Sequence, residues 1–344
     1  MKILITGGCG FLGVTLARYL LSKNEQVILF DKVPLDIPEL SKKVKVIIGD
    51  VRNKKAVEKA LSGVDYVIHA AAALPIQQSG ELIHSVNVIG TKNVLQAAFN
   101  KKVKRVVFIS TTAVYKIDQK HPITEEGLIE PIGYYGSSKI EAEKVCHEYQ
   151  NKGLVVQIIR PKTFVGPSRL GVFEILFEWI YEGRKVPILG NGKNYYQLLD
   201  VRELCNAIYL SLTTKYTNET FNIGAKKFGT VASDLNYVIK KSGSKSSLLF
   251  VPALPVQIIL SILEKLQLSP LAAWHYKTAN IDSYVDITKA QKMLGWSSKV
   301  SGAEVLYEAY EWFVKHKSEF EGKTGVTHRV GWNQKILGLV RRFM

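Results

Sequence analysis

Short, uniformly apolar runs alternate with helical periodicity through the first half of the chain. The pattern predicts strands at Lys2–Thr6, Gln26–Asp31, Val44–Gly49, Asp65–His69, Arg105–Ser110 and Leu154–Arg160. Between them it predicts helices over Phe11–Ser22, Asn53–Leu61, Ser85–Asn100 and Gly136–Gln150. Strands with no polar face, joined by helices, describe a doubly wound α/β fold in which a parallel sheet is covered on both sides. After Pro161 the alternation loosens. Helices are predicted at Val172–Glu182, Val201–Leu212 and Ala303–Lys315, with a strand at Thr220–Ile223 returning to the sheet. A Gly-rich turn, Gly190-Asn191-Gly192, and an apolar helix over Pro252–Leu268 complete the reading. The division expected from this is 1–165 for the nucleotide domain, 166–320 for a smaller C-terminal substrate region, and 321–344 for a tail.

Composition adds bounds. The chain has 344 residues, 47% hydrophobic and 22% charged, which supplies a substantial core and excludes wholesale disorder. Three well-separated cysteines, Cys9, Cys146 and Cys205, form no disulfide or zinc pattern and fit a reducing compartment. No signal peptide is expected, because the first apolar run meets glycines at once, and no run of about 18 apolar residues spans a bilayer. A cytoplasmic protein is expected, soluble or peripheral to the membrane face. The excess of 46 Lys+Arg over 30 Asp+Glu, a net +16, suits nucleic acid, an anionic membrane or an anionic ligand.

The first chemical signal is Thr6-Gly7-Gly8-Cys9-Gly10-Phe11-Leu12-Gly13, which closes the first strand and opens the first helix. Such glycines permit a tight turn (Gly7), close approach of a pyrophosphate (Gly10) and helix packing (Gly13). The helix N-terminus offers unpaired N–H groups to the anion. Asp31 ends the second strand, 18 residues beyond Gly13, where a carboxylate accepts both ribose hydroxyls and repels a 2′-phosphate; this favours NAD over NADP. Asp50, after the third strand, is placed to cap the adenine. A second signal is Tyr135-Gly136-Ser137-Ser138-Lys139, with phenol and ammonium four apart on one helix face. An ammonium beside a phenol favours the phenolate and makes tyrosine an acid/base near neutral pH.

These motifs occur in order with HAAA at 69–72, NVIGTKNVLQAA at 87–98, FISTTAVY at 108–115, RPKTFVGP at 160–167 and DITKAQKMLGW at 286–296. Together they resemble an extended short-chain dehydrogenase/reductase of the NAD-dependent epimerase/dehydratase type, over residues 1 to about 315. The resemblance implies a Rossmann-type fold and an NAD-dependent enzyme. It makes Tyr135 the proton donor and acceptor, and Lys139 the residue that binds the nicotinamide ribose. Thr111 is the hydroxyl of the triad, with Ser110 the competing candidate. Phe11, Leu12, Val51, Ala70, Ala71, Ala72, Asn87 and Ser110 are implied to line the cofactor, and Pro161 to abut the nicotinamide. A homodimer is implied as well. His69, ending a buried strand, reads as a satisfied core histidine, and no metal-ligand spacing is present.

Nucleotide-sugar members of the family hold the substrate diphosphate with two arginines. Tyr196 and Tyr276 stand at the corresponding positions, with Lys193, Lys277 or Arg169 left as substitute charges. The GNGKN turn and Pro252–Leu268 resemble the 3β-hydroxysteroid and sterol-carboxylate dehydrogenase branch instead. The expectation is therefore a small-molecule substrate of lipid-like character and no nucleic acid. The alternatives are a nucleotide-sugar 4-epimerase and a non-catalytic NAD-binding scaffold. Residues 322–344 carry Lys323, Arg329, Lys335, Arg341 and Arg342 and no acid. Trp332, Ile336, Leu339, Val340 and Phe343 share one helical face there, which suits either an interfacial membrane helix or a strap on the globule or on a second subunit.

Overall fold

The structure, a computed structural model, describes residues 1–74, 79–266, 268–269 and 271–320, together with Arg329 and Arg341. The N-terminal half runs β1 (Lys2–Thr6), α1 (Phe11–Ser22), β2 (Gln26–Asp31), α2 (Pro38–Ser41), β3 (Lys45–Ile48), α3 (Lys54–Ala60) and β4 (Tyr66–His69). It continues with α4 (Gly80–His84), a π-turn (Ser85–Ile89) and α5 (Gly90–Asn100), then β5 (Arg105–Ile109), α6 (Gly133–Asn151) and β6 (Val156–Pro161). The remainder comprises β7 (Phe164–Val165), α7 (Val172–Tyr181), β8 (Lys185–Leu189), β9 (Leu199–Asp200), α8 (Val201–Thr213), β10 (Thr220–Ile223) and α9 (Val231–Ser242). It ends with β11 (Ser247–Val251), α10 (Ala253–Lys265), α11 (Ala273–Lys277), α12 (Thr288–Leu294) and α13 (Gly302–Phe320).

The main sheet has seven parallel strands in the order β10-β6-β5-β4-β1-β2-β3. Alternate residues of each strand serve opposite faces. Ile3 and Ile5 join Leu16, Leu29, Ile68, Val107, Ile159 and Phe221 in the core under α1, α8 and α12. Leu4 joins Ile28, Phe30, Val67, Val106 and Phe108 in the core under α3, α5 and α6. Because both faces are covered, the strands carry no polar alternation. The strand order reverses direction on either side of β1, and ligands bind beyond the carboxyl ends of strands at such a switch point. There, the loops after β1 and β4 part and leave a crevice.

As expected, β10 returns to the sheet edge beside β6, with Phe221 and Ile223 paired to Ile159 and Pro161. A third core gathers Phe177, Trp179, Val238, Val305, Tyr310 and Phe313 from α7, α9 and α13. Two small parallel pairs, β7–β9 and β8–β11, frame this region. The helix predicted to begin at Ser85 in fact begins at Gly80, where Ser79 caps it by accepting from the Leu82 N–H, and passes through the π-turn.

The apolar helix predicted at Pro252–Leu268 forms as α10 (Ala253–Lys265), with much of its apolar side turned outward. Leu260 is its one buried residue, whereas Leu254, Ile258, Ile259, Ile262 and Leu266 are more than half exposed. The polar residues point inward. Gln257 Nε2 donates to the Tyr276 carbonyl (3.0 Å) and Asn280 Oδ1 (2.9 Å). Glu264 accepts from the Ala273 N–H (3.0 Å) and the Tyr276 hydroxyl (2.6 Å). No helix among the described residues is long and apolar enough to cross a membrane. The predicted tail helix lies outside the described residues except at Arg329 and Arg341. Arg341 pairs with Glu178 and Glu182 of α7, and Arg329 with Asp36, so both are tied to the globule.

Candidate active site

The turn after β1 is built for an anion. Gly7 holds φ +68, and a Cβ there would lie 2.8 Å from the Ala71 backbone. At Gly13 a Cβ would come within 2.4 Å of the Gly7 carbonyl, so this glycine lets the first turn of α1 close onto the loop rather than onto a strand. Gly10 caps α1 without a side chain, leaving the first-turn N–H groups of Phe11, Leu12 and Gly13 toward the crevice. Asp31, at the end of β2, is held by the Cys9 N–H (2.9 Å) and the Val33 N–H (3.2 Å) and lines the crevice. Asp50 does so too. Its side-chain hydrogen bond with Arg52 comes first in holding its carboxyl below the usual carboxylate range.

Val51, Ala70, Ala71, Ala72 and Pro161 also line the crevice. Asn87 does not. Its carboxamide is spent on the Ala73 N–H (2.7 Å) and carbonyl (3.2 Å) and on Ser138 Oγ (2.9 Å), so it fixes the wall from behind. His69 is the satisfied core histidine expected: its ring meets Thr6 Oγ1 at 2.6 Å and Thr91 Oγ1 at 2.9 Å.

Thr111, Tyr135 and Lys139 converge where β5, α6 and the crevice meet. Lys139 is 2% exposed, donates to the Ile109 carbonyl (2.8 Å) and sits 4.8 Å from the centre of the Phe108 ring. Burial pulls its ammonium down to about 8. Tyr135, one helical turn earlier, faces the crevice; burial pushes its phenol up to about 12, against a hydrogen bond from Thr111 and the charge of Arg169. Tyr134 is exposed on the other side. Geometry separates Thr111 from Ser110. The Ser110 hydroxyl is committed to Glu143 (2.5 Å), whereas Thr111 pairs with Tyr135 and caps the following turn at the Ala113 N–H (3.1 Å).

Sequence reasoning missed the support behind this triad. Glu143 takes two hydrogen bonds from Arg160, at 2.9 and 2.6 Å. Arg160 also reaches the Tyr115 hydroxyl (2.9 Å), which donates to Asn222 Oδ1 (2.8 Å). The signal was present: Glu143 lies four residues after Lys139 on the same helix, and Arg160 and Tyr115 belong to the quoted motifs.

The crevice, of about 1040 Å³, continues past Tyr135 into the second region. Tyr196 lies on its wall, bonded to Thr163 Oγ1 (2.9 Å), but Tyr276 is turned away toward Glu264. Of the three substitute cations, Arg169 lines the crevice; Lys193 and Lys277 are exposed outside it. Lys162, immediately after Pro161, is a further buried cation here. His275 also faces the crevice, and burial pushes its imidazole down to about 4. Leu82, Val86, Val172, Phe173, Leu176, Leu198 and Trp274 supply apolar wall.

The profile of the NAD dependent epimerase/dehydratase family matches residues 3–224. The protein y4nG of Sinorhizobium fredii is 34% identical over 98% of this chain and 85% of its own length. The sterol-4-alpha-carboxylate 3-dehydrogenase, decarboxylating, of Bos taurus is 31% identical over 65% of this chain and 63% of its own. Among solved structures, a UDP-glucose 4-epimerase of Thermotoga maritima superposes with TM-score 0.78 at 26% identity, covering 92% of this chain and all of that one. A glycine cradle that side chains would fill, a helix N-terminus with no side-chain cap and an acid at the end of β2 are what a dinucleotide needs, and NAD held there would supply the hydride acceptor. With Thr111, Tyr135 and Lys139 assembled beside that cradle, the chain belongs to the NAD-dependent epimerase/dehydratase family of extended short-chain dehydrogenase/reductase enzymes.

Proposed function

We propose that this enzyme interconverts a secondary alcohol and a ketone on a hydrophobic, sterol- or ketolipid-like substrate. Tyr135 moves the proton of the reacting hydroxyl, Thr111 holds the oxygen, and Lys139 keeps its positive charge beside the phenol and binds the nicotinamide ribose. One observation carries the substrate reading: beyond Tyr135 the wall is Val172, Phe173, Leu176, Leu198 and Trp274, and tyrosine stands at both positions expected to hold arginine. The similarity to the bovine sterol-carboxylate dehydrogenase agrees. Three buried thiols suit a cytoplasmic setting. The exposed apolar face of α10 supports a covered surface, either a membrane or a second copy of this chain.

The test follows NADH absorbance with sterol-like, ketolipid and sugar-nucleotide pools. Net NADH formation with a hydroxylated lipid supports the proposal, and Tyr135→Phe should lower that rate by about 10²–10⁴. A variant that keeps the full rate overturns the assignment and favours a non-catalytic scaffold. The second reading, a nucleotide-sugar 4-epimerase, is favoured by the whole-chain likeness to the Thermotoga epimerase. It requires conversion of a sugar nucleotide with no net NADH and a cofactor that survives purification.

A further inference from the structure

We propose that Arg169 is the receptor for an oxyanion carried by the substrate, so that the substrate is an apolar acid, a carboxylate or a phosphate, rather than a neutral lipid. The inference rests on the reading of a hydrophobic substrate given above and names its polar end. Arg169 leaves a sharp turn: Gly166 accepts from its N–H (3.0 Å), and Ser168 adopts φ +69. That turn sends the side chain into the crevice, where it is 6% exposed. Its guanidinium carbon lies 5.3 Å from the centre of the Phe11 ring, 5.4 Å from Phe164 and 5.8 Å from Phe173. Three phenyl rings fix its plane without satisfying its donors.

Nε and Nη1 are buried and have no hydrogen-bond partner among the described residues, and no carboxylate there ion-pairs with Arg169. Cleft-lining acids are engaged elsewhere: Asp31 by backbone N–H groups, Asp36 by Arg329, Asp50 by Arg52 and Asp234 by Ser233. A guanidinium stays protonated at neutral pH even when burial pulls it down, here to about 9. A buried charge with unmade hydrogen bonds is costly, and the cost is recovered when a ligand brings the matching acceptor. Nε and a neighbouring terminal nitrogen form the fork that takes a carboxylate or phosphate in a bidentate grip.

The substrate supplies this anion more readily than the dinucleotide does. The pyrophosphate already has the backbone N–H groups at the α1 N-terminus. Arg169 exerts its field on Tyr135 and Tyr196, the two phenols of the reaction chamber. Of the two other buried cations there, Lys139 is turned to the Ile109 carbonyl (2.8 Å), and Lys162 is committed to Ser283 Oγ (2.6 Å) and packs on the Tyr196 ring.

The test is calorimetry on the full-length protein saturated with NADH, titrated with decanoate, decyl phosphate and decanol. At least one anion should bind about tenfold or more tightly than decanol, equivalent to about 1.4 kcal/mol. Arg169→Met should erase that preference and leave NADH affinity within about twofold, while Arg169→Lys, a point charge without the fork, should retain part of it. Equal affinity for acid and alcohol, or no binding of any probe, overturns the proposal. So does an Arg169→Met variant that keeps the preference, or one that loses NADH affinity instead, which would give Arg169 to the pyrophosphate. Binding involves no chemical step, so a failure to form NADH from hydroxy acids counts against the dehydrogenase reading alone.

Discussion

Replacing Glu143 with glutamine removes the one negative charge that neutralises Arg160 inside the fold. The two side chains are 7% and 8% exposed, and the carboxylate accepts from Arg160 Nε and Nη2 and from Ser110 Oγ. Glu143→Gln preserves shape but strands a guanidinium whose affinity for its proton the carboxylate had raised. Breaking a buried pair on one side costs about 3–5 kcal/mol. At about 2.1 cal/mol/K per residue, 344 residues give a melting entropy of about 0.7 kcal/mol/K, so the expected drop in Tm is about 4–7 °C. Scanning calorimetry measures it, with urea titration as the isothermal check. The double variant Glu143→Gln/Arg160→Met removes both charges and should recover at least about 1 kcal/mol relative to the sum of the singles. Turnover should fall as well, because Ser110 loses its anchor one residue from Thr111. A single variant that loses less than about 1 kcal/mol, or strict additivity in the cycle, would refute the account of this network.

Three further outcomes are expected. Burial, with Lys139 nearby, pushes the His69 imidazole from 6.5 to about 3, so the unfolded chain binds a proton that the folded chain refuses. Stability therefore falls as pH drops from 6.5 toward 3, by about 1.4 kcal/mol per unit and about 2 kcal/mol by pH 5. His69→Asn should flatten the slope by one proton, and an unchanged slope in urea titrations would sink this assignment. Gly7→Ala should weaken NADH binding about tenfold or more by calorimetry, since φ +68 and a contact 2.8 Å from Ala71 both oppose a methyl; wild-type affinity would show that the turn is not the cradle. Ending the chain at residue 320 should lower Tm without altering flotation on anionic liposomes, because Arg329 and Arg341 are paired on the globule; lost flotation would return the tail to the membrane.

What could be read from the sequence follows from the range of the interactions concerned. The β1 boundaries coincide with the predicted Lys2–Thr6, because a strand buried on both faces advertises itself by five successive residues. The glycine loop and the Tyr135/Lys139 pair were legible for the same local reason. The choice between Ser110 and Thr111 was not: adjacent residues of an extended chain point opposite ways, and only Glu143, 33 residues on, reveals which way is which. Asn87 was expected on the cofactor wall, yet its partners Ala73 and Ser138 draw it behind. In α10 the periodicity was clear but its sense was not. Gln257 and Glu264 turn inward because α11, and Asn280 just beyond it, offer them partners 9 to 23 residues away, which leaves isoleucine and leucine outside. Helix α9 and strands β8 and β11 escaped because their half-buried faces carry weaker patterns than the central strands.

The excess of positive charge takes a different meaning once it is distributed over the fold. Read from the sequence, it gathers in an acid-free tail and points to a membrane. In the structure, the tail cations that are described are already neutralised by Asp36, Glu178 and Glu182. The buried cations that line the crevice are instead Lys139, Lys162 and Arg169. The opposite end of the crevice carries Asp31, Asp36 and Asp50, of which Asp36 is paired with Arg329 and Asp50 with Arg52. Burial strengthens the field of Lys139, Lys162 and Arg169, because charges withdrawn from water are screened least. On the proposed assignment, a dinucleotide in the crevice would have its adenosine ribose at Asp31 and its nicotinamide toward Tyr135 and Lys139. On that assignment, the buried cations beside Tyr135 would act on whatever meets the nicotinamide. Lys139 is turned to the Ile109 carbonyl and Lys162 to Ser283, which leaves Arg169 as the one with donors still to place. Apolar walls around such a guanidinium select for a ligand that is hydrophobic over most of its surface and anionic at one point.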